Sequence, residues 1–195
     1  MSAGRPREFD QQQALEAAMR VFWTRGYEAT SLEDLLAEMG LSKSSFYQAF
    51  GSKAELFQKC LEHYQDMSAQ MMQSSLAGAA TGWDFIRTTL EGVADGTGKK
   101  MGRAGCLLMN TATEFGQRDA AVISTVSAGL GRIQEVFKAA LDRAKTEGSL
   151  TAAADTQSLA LFLATNLGGL KGMARAGAAP QAIRSVIGIV LAALK

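Results

Sequence analysis

Proline occurs only twice in these 195 residues, whereas glycine occurs twenty times. A chain built this way favours long helices that stop at glycines, since proline breaks a helix interior and glycine closes its end. Histidine occurs once, at His63, and cysteine twice, at Cys60 and Cys106. Two distant cysteines make no disulfide framework. Cys60 and His63 stand one helical turn apart, but two ligands are too few for a metal ion, so no metal or cofactor is expected. There is no Gly-x-Ser-x-Gly, no paired-cysteine motif and no nucleotide fingerprint, and the Gly-Lys at 98–99 lacks the spacing of a phosphate loop. An enzyme is therefore not expected. No run of 18 apolar residues occurs, and MSAGRPREFD has no apolar segment of a secretory signal. A cytoplasmic chain with no membrane partner is the expectation.

Charge of neither sign dominates. The net charge is +1, and residues 1–60 carry seven basic and eight acidic side chains. Any electrostatic footprint for an anionic partner must come from placement. Hydrophobic residues make up 47% of the chain, enough for a sizeable core. Strand alternation persists nowhere, so the fold class is all-α.

The stretch from Thr30 to Lys53, TSLEDLLAEMGLSKSSFYQAFGSK, is the most informative. Ser31 suits a helix cap, and Glu33 and Asp34 suit the positive helix start. Leu32, Leu35, Leu36 and Met39 form one apolar face. Gly40 closes that helix, and Ser42 caps a second from Lys43 to about Phe50. Phe46 and Phe50 share one side of it; Lys43, Ser44, Ser45, Tyr47 and Gln48 lie mostly on the other. Helix, glycine turn and polar-faced helix is a helix-turn-helix pattern, and these side chains suit a DNA major groove. Ahead of it, Arg5-Pro6-Arg7 reads as an extended arm able to enter a minor groove. A helix from about residue 9 or 10 to Arg25, with Leu15, Ala18, Met19, Phe22 and Trp23 apolar, completes a three-helix unit.

Ser52 and Glu55 then form a capping box that opens a long helix ending near Gly78, roughly 37 Å at 1.5 Å per residue. The domain boundary is placed there: 1–52 as the helix-turn-helix domain, 53–195 as a larger helical domain. Further helices are expected over 83–95, 105–115, 119–147, 155–176 and 180–194. Met71, Trp83, Phe85, Cys106, Met109, Asn110, Thr113, Phe137, Phe162 and Asn166 are candidates to line an apolar cavity with a few orienting polar groups. Taken singly, each reads first as an ordinary packing residue. Cys106, at the start of a helix and after Arg103, is a candidate reactive thiol or an inert core residue. The last two helices look like an interface: 158–170 is apolar nearly all round, and Ile183, Val186, Ile187, Val190, Leu191 and Leu194 form a further stripe.

The run GYEATSLEDLLAEMGLSKSSFYQAFGSKAEL, Gly26 to Leu56, resembles the DNA-binding domain of the TetR/AcrR family of bacterial repressors. The features that carry it are Gly-Tyr before Thr-Ser, the Gly-Leu-Ser turn, Phe-Tyr, and Phe-Gly-Ser-Lys-Ala-Glu-Leu. The resemblance implies DNA contacts from Ser42, Lys43, Ser44, Ser45, Tyr47, Gln48 and Lys53, with Lys43 and Gln48 toward bases and Tyr47, Lys53, Thr30 and Ser31 toward phosphates. It implies a homodimer through the last two helices, a double-stranded operator and a small-molecule inducer. The expectation is a repressor released from a near-palindromic operator by a ligand. A helical ligand-binding or scaffolding protein with a degenerate helix-turn-helix stays open, given the acidic balance of residues 1–60.

Overall fold

A computed structural model describes residues 10–99 and 101–194. These form nine α-helices and one short 3-10 turn, with no strand among them. Helices α1 (Gln11–Arg25), α2 (Leu32–Met39) and α3 (Lys43–Phe50) make a head; α5 (Gly82–Gly96), α6 (Leu107–Phe115), α7 (Ala120–Thr146), α8 (Thr156–Arg175) and α9 (Pro180–Ala192) make a body. Helix α4 (Lys53–Gly78) runs from one into the other. It packs along α7 in the body and along α1 in the head; α5 packs on α7 and α9. No helix among the described residues is long and apolar enough to cross a membrane.

The helix starts follow from their side chains. Asp10, Ser31, Ser42, Ser52, Thr81, Asp119 and Asp155 each accept an amide of the first turn, filling bonds a helix start leaves open. At α2 the box is reciprocal: Asp34 N–H donates to Ser31 Oγ, and Ser31 N–H donates to Asp34. Ser52 and Glu55 do the same at α4. Gly40 ends α2 at φ 65°, the left-handed conformation that turns the chain into α3. Pro180 stands at the first turn of α9, where its missing N–H costs nothing.

One buried cluster runs through head and body without a break. At the junction four rings meet. Phe57 of α4 lies 4.9 Å from Phe22 of α1, 4.9 Å from Tyr27 and 5.5 Å from Phe115 of α6. Tyr27 lies 5.3 Å from Phe115. The head is thus packed on α6 as well as joined through α4.

Two expectations change here. The α9 stripe reads as an interface in the sequence, but Ile183, Ile187, Val190 and Leu194 are buried within this one chain, since α9 lays that face on α5. The outward apolar side chains are Ile189, 71% exposed, and on α8 Leu161, 57% exposed, and Phe162. Thr30 is fully buried and its hydroxyl donates to the Gly26 carbonyl at 2.6 Å, so its side chain does not reach a phosphate.

Asp34 also accepts from Arg25, tying α2 to the end of α1. Bonds from the Ser31 hydroxyl and amide, then from Arg25, hold its carboxyl at about 2, below its ordinary 3.8. The folded state therefore binds fewer protons there than the unfolded one. The resulting stability is complete above about pH 4 and is lost as pH falls toward 2. Thermal melts should show wild type more stable than Asp34→Asn at pH 6, with the gap closing between pH 4 and pH 2. A gap that does not change with pH would refute this account.

Candidate nucleic-acid interface and effector cleft

Helix α3 presents its polar side outward because Phe46 and Phe50 fix the other side in the core. Ser42, Lys43, Ser44, Tyr47 and Gln48 are exposed, and Tyr47 stands against Phe46 at 5.4 Å. The Ser42 hydroxyl accepts the Ser45 amide at 3.1 Å and lies 2.9 Å from the Ser45 hydroxyl. The Ser42 hydroxyl also lies 3.0 Å from that of Ser44. All three serines are thus engaged at the cap, with Ser44 exposed and Ser45 half-buried, and Lys43, Tyr47 and Gln48 complete the outward face. Ser31 is exposed beside it, engaged in its own box. Lys53, in the first turn of α4, is half-buried, with its ammonium 4.2 Å from the centre of the Tyr27 ring. Arg5 and Arg7 lie outside the described residues.

The ten cavity candidates divide. Phe85 and Phe137 are buried in the body's core, where their rings pair at 6.1 Å. Trp83 is half-buried against the same core. Met71 is an exposed side chain on α4. Phe162 is exposed on α8, where its carbonyl accepts the Asn166 amide at 2.8 Å. Cys106, Met109, Asn110 and Thr113 do come together, on one face of α6 and its start. They line a cleft of about 560 Å³ closed by Gly168, Gly169, Gly172 and Arg175 of α8, and by Arg25 and Gly26 of the head. Such a volume suits a small organic molecule.

The polar groups around this cleft tie the head to the body. Trp23 Nε1 donates to the Gly105 carbonyl at 3.2 Å, and Arg175 Nη1 donates to the carbonyls of Ala104 at 2.9 Å and Trp23 at 3.3 Å. Glu114, also in the cleft wall, accepts the backbone N–H of Tyr27 at 2.9 Å and of Glu28 at 2.7 Å. Gly26, at φ 89°, is needed for that approach: a Cβ there would sit 2.9 Å from a Glu114 oxygen. Sequence reasoning missed Glu114 and Arg175. The spacing of four through Cys106, Asn110 and Glu114 was the available signal for the first.

Cys106 caps α6 without a side-chain bond to it and is buried, with Tyr64 donating its hydroxyl to the sulfur at 3.7 Å. Burial, then the neighbouring Cys106, hold the Tyr64 phenol well above the usual tyrosine range, so it stays a neutral donor. Cys60 is fully buried against the Leu15 carbonyl, and burial pushes its thiol up. Its partner in the two-ligand idea, His63, instead lies near Gln12 and Glu16. No group of three His, Cys, Asp or Glu among the described residues could hold a metal ion.

Comparison with known proteins agrees with this geometry. Residues 14–60 match the model of bacterial regulatory proteins of the tetR family, and residues 82–190 match that of the tetracyclin repressor-like C-terminal domain. The transcriptional repressor ComR of Escherichia coli (strain K12) is 28% identical over 191 residues, 97% of this chain and 91% of ComR. The transcriptional activator FasR of Mycolicibacterium smegmatis is 31% identical over 90 residues, 46% of this chain and 41% of FasR. Among solved structures, a cysteine-substituted TetR-family regulator CifR, complexed with a 26-base-pair double-strand operator, is 33% identical with a TM-score of 0.86, covering 98% of this chain and 100% of that one. An exposed polar recognition helix on a head packed into a larger helical body is therefore what it resembled in sequence: this chain belongs to the TetR family of DNA-binding transcriptional regulators, which are not enzymes.

Proposed function

We propose that the protein is a homodimeric repressor that a small molecule releases from a near-palindromic operator. The observation that carries the reading is the exposed polar face of α3, Lys43, Ser44, Tyr47 and Gln48, on a head that shares a wall with the effector cleft. Lys43 and Gln48 contact bases; Tyr47, Ser31 and Lys53 contact phosphates; the arm with Arg5 and Arg7 enters the minor groove. Residues 1–52 form the DNA-binding domain and 53–195 the effector and dimerisation domain. ComR, named a repressor and matched over nearly its whole length, favours repression over activation. Such a regulator works in the cytoplasm.

Two heads must present two recognition helices about 34–36 Å apart, one helical turn of DNA. An effector that binds the cleft better in a conformation with another head spacing lowers operator affinity by that preference and by no more. The test is a gel shift with DNA flanking the coding region, at several salt concentrations and with candidate effectors. Lys43→Ala and Tyr47→Ala should each weaken operator binding by about 1–3 kcal/mol in a folded protein. Wild-type affinity in both would remove α3 from the DNA.

The dimer forms through the outward faces of α8 and α9, where Leu161, Phe162 and Ile189 are exposed. Leu161→Asp combined with Ile189→Asp should yield folded monomers in light scattering, with operator binding lost because the second head is no longer linked. By contrast, Ile187→Asp places a charge in the core and should unfold the chain. A double variant that stays dimeric would put the interface elsewhere.

Because Cys106 borders the cleft and Cys60 does not, iodoacetamide should label Cys106 first in the native protein, with Cys60 following only on unfolding. Equal rates, both at the unfolding rate, would show a cleft closed to small molecules at that end.

A further inference from the structure

Lys53 stands where a helix start disfavours it. It is the first residue of α4, and the positive end of the helix dipole opposes a cation there. Its ammonium is nonetheless held in place, 4.2 Å from the centre of the Tyr27 ring. That ring cannot shift freely, because it is packed on Phe57 and Phe115. The backbone of Tyr27 is fixed as well. Its N–H and that of Glu28 both point at the carboxylate of Glu114, which comes from α6 in the body. Two charge-assisted bonds to one carboxylate lock the α1–α2 turn in orientation as well as position. Glycine at position 26 leaves room for that carboxylate. The same carboxylate lines the cleft.

We propose that Glu114 is a positioning residue for DNA binding: through the turn at Tyr27 it sets the ring that holds Lys53 toward the phosphate backbone. The proposal rests on the DNA contact assigned above to Lys53. A cleft occupant that draws Glu114 or α6 away loosens the turn and takes one phosphate contact from each head. Release then needs no contact between the effector and the recognition helix.

A purely structural role for Glu114 and a role through Lys53 are separated by the salt dependence of operator binding. Each lysine–phosphate contact adds about 0.9 to the slope of log affinity against log salt on duplex DNA. Lys53→Ala should lower that slope by about one per head. Glu114→Ala should do the same and weaken binding on the order of ten-fold at low salt. The double variant should then lose little more than either single one. A wild-type slope in folded Glu114→Ala, or losses that multiply in the double variant, would overturn the proposal. If Glu114→Ala does not fold, Tyr27→Leu decides: it keeps the backbone bonds and an apolar side chain against Phe57 but removes the ring face, so the slope should still fall by about one per head, and an unchanged slope refutes the relay. A wild-type protein without salt-dependent operator binding, or Lys53→Ala with a wild-type slope, would instead remove the DNA contact on which the relay stands.

Discussion

Four aromatic rings hold the two halves of this chain in register. Phe22 and Tyr27 come from the head, Phe57 from the first turns of α4 and Phe115 from the end of α6. Phe22 and Phe57 are almost wholly buried. Were α4 the only link, a head of three short helices would swing on its first turn. Buried aromatic contacts at 4.9–5.5 Å make that motion costly, because any tilt must open a packed core that has no slack. The polar bonds from Glu114, Arg175 and Trp23 surround this apolar contact and set its orientation, which apolar packing alone leaves loose. Packed junctions switch between discrete arrangements and do not deform continuously, and such a switch is what an effector can bias.

The head achieves anion recognition with little net charge. Three of its acidic side chains are used locally: Asp10 caps α1, Asp34 completes the box at α2 and pairs with Arg25, and Glu55 completes the box at α4. An acid bound into a cap does not oppose DNA as a free one on the reading face would. Lys43 opens α3 and Lys53 opens α4, the latter with its ammonium over the Tyr27 ring. A charge count over residues 1–60 therefore does not describe the α3 face, since it gives no placement and treats acids bonded to helix-start amides, such as Asp10 and Glu55, as free ones.

Much of the fold was legible in the sequence. Caps are local chemistry, so Ser31, Ser42 and Ser52 marked helix starts correctly, and Gly40 marked the turn. The interface stripe on α9 was not legible in the same way. That helix is apolar on two sides, and a period of 3.6 shows that faces exist without saying which neighbour covers each. Ile187 and Val190 went inward onto α5, and Ile189, between them in sequence, went outward. Thr30 failed for a related reason: beside Ser31 it reads as a second surface hydroxyl, and only the turn of the chain brings the Gly26 carbonyl to it. Of the cavity candidates, those on α6 converge because one helix carries them. Met71, Phe162 and Phe137 share only an apolar side-chain type and come from separate helices, and type does not fix direction. Glu114 escaped because a charged residue near a helix end looks solvated until the fold supplies two amides.

The glycines of α8 tie the remaining features together. Gly169 and Gly172 face outward, and a Cβ at either would meet nothing within 4 Å among the described residues. Packing within the chain therefore does not require them to be glycine, and a helix interior is where glycine is most costly, by about 1 kcal/mol relative to alanine. What they do have nearby is the cleft on one side and the outward face of α8 on the other. In the dimer proposed above, a bare stretch of backbone there lets a second helix approach closely. Gly169 and Gly172 also line the cleft, so an occupant of the cleft would lie against the same stretch of backbone. An effector bound against this stretch would then act on two coordinates at once, the turn that carries Lys53 and the spacing of the two α8 helices. Differential affinity can add across both. A shift from 1:99 to 99:1 takes roughly 10⁴-fold preference, a demanding figure for a small ligand touching one element and a reachable one for a ligand that senses two.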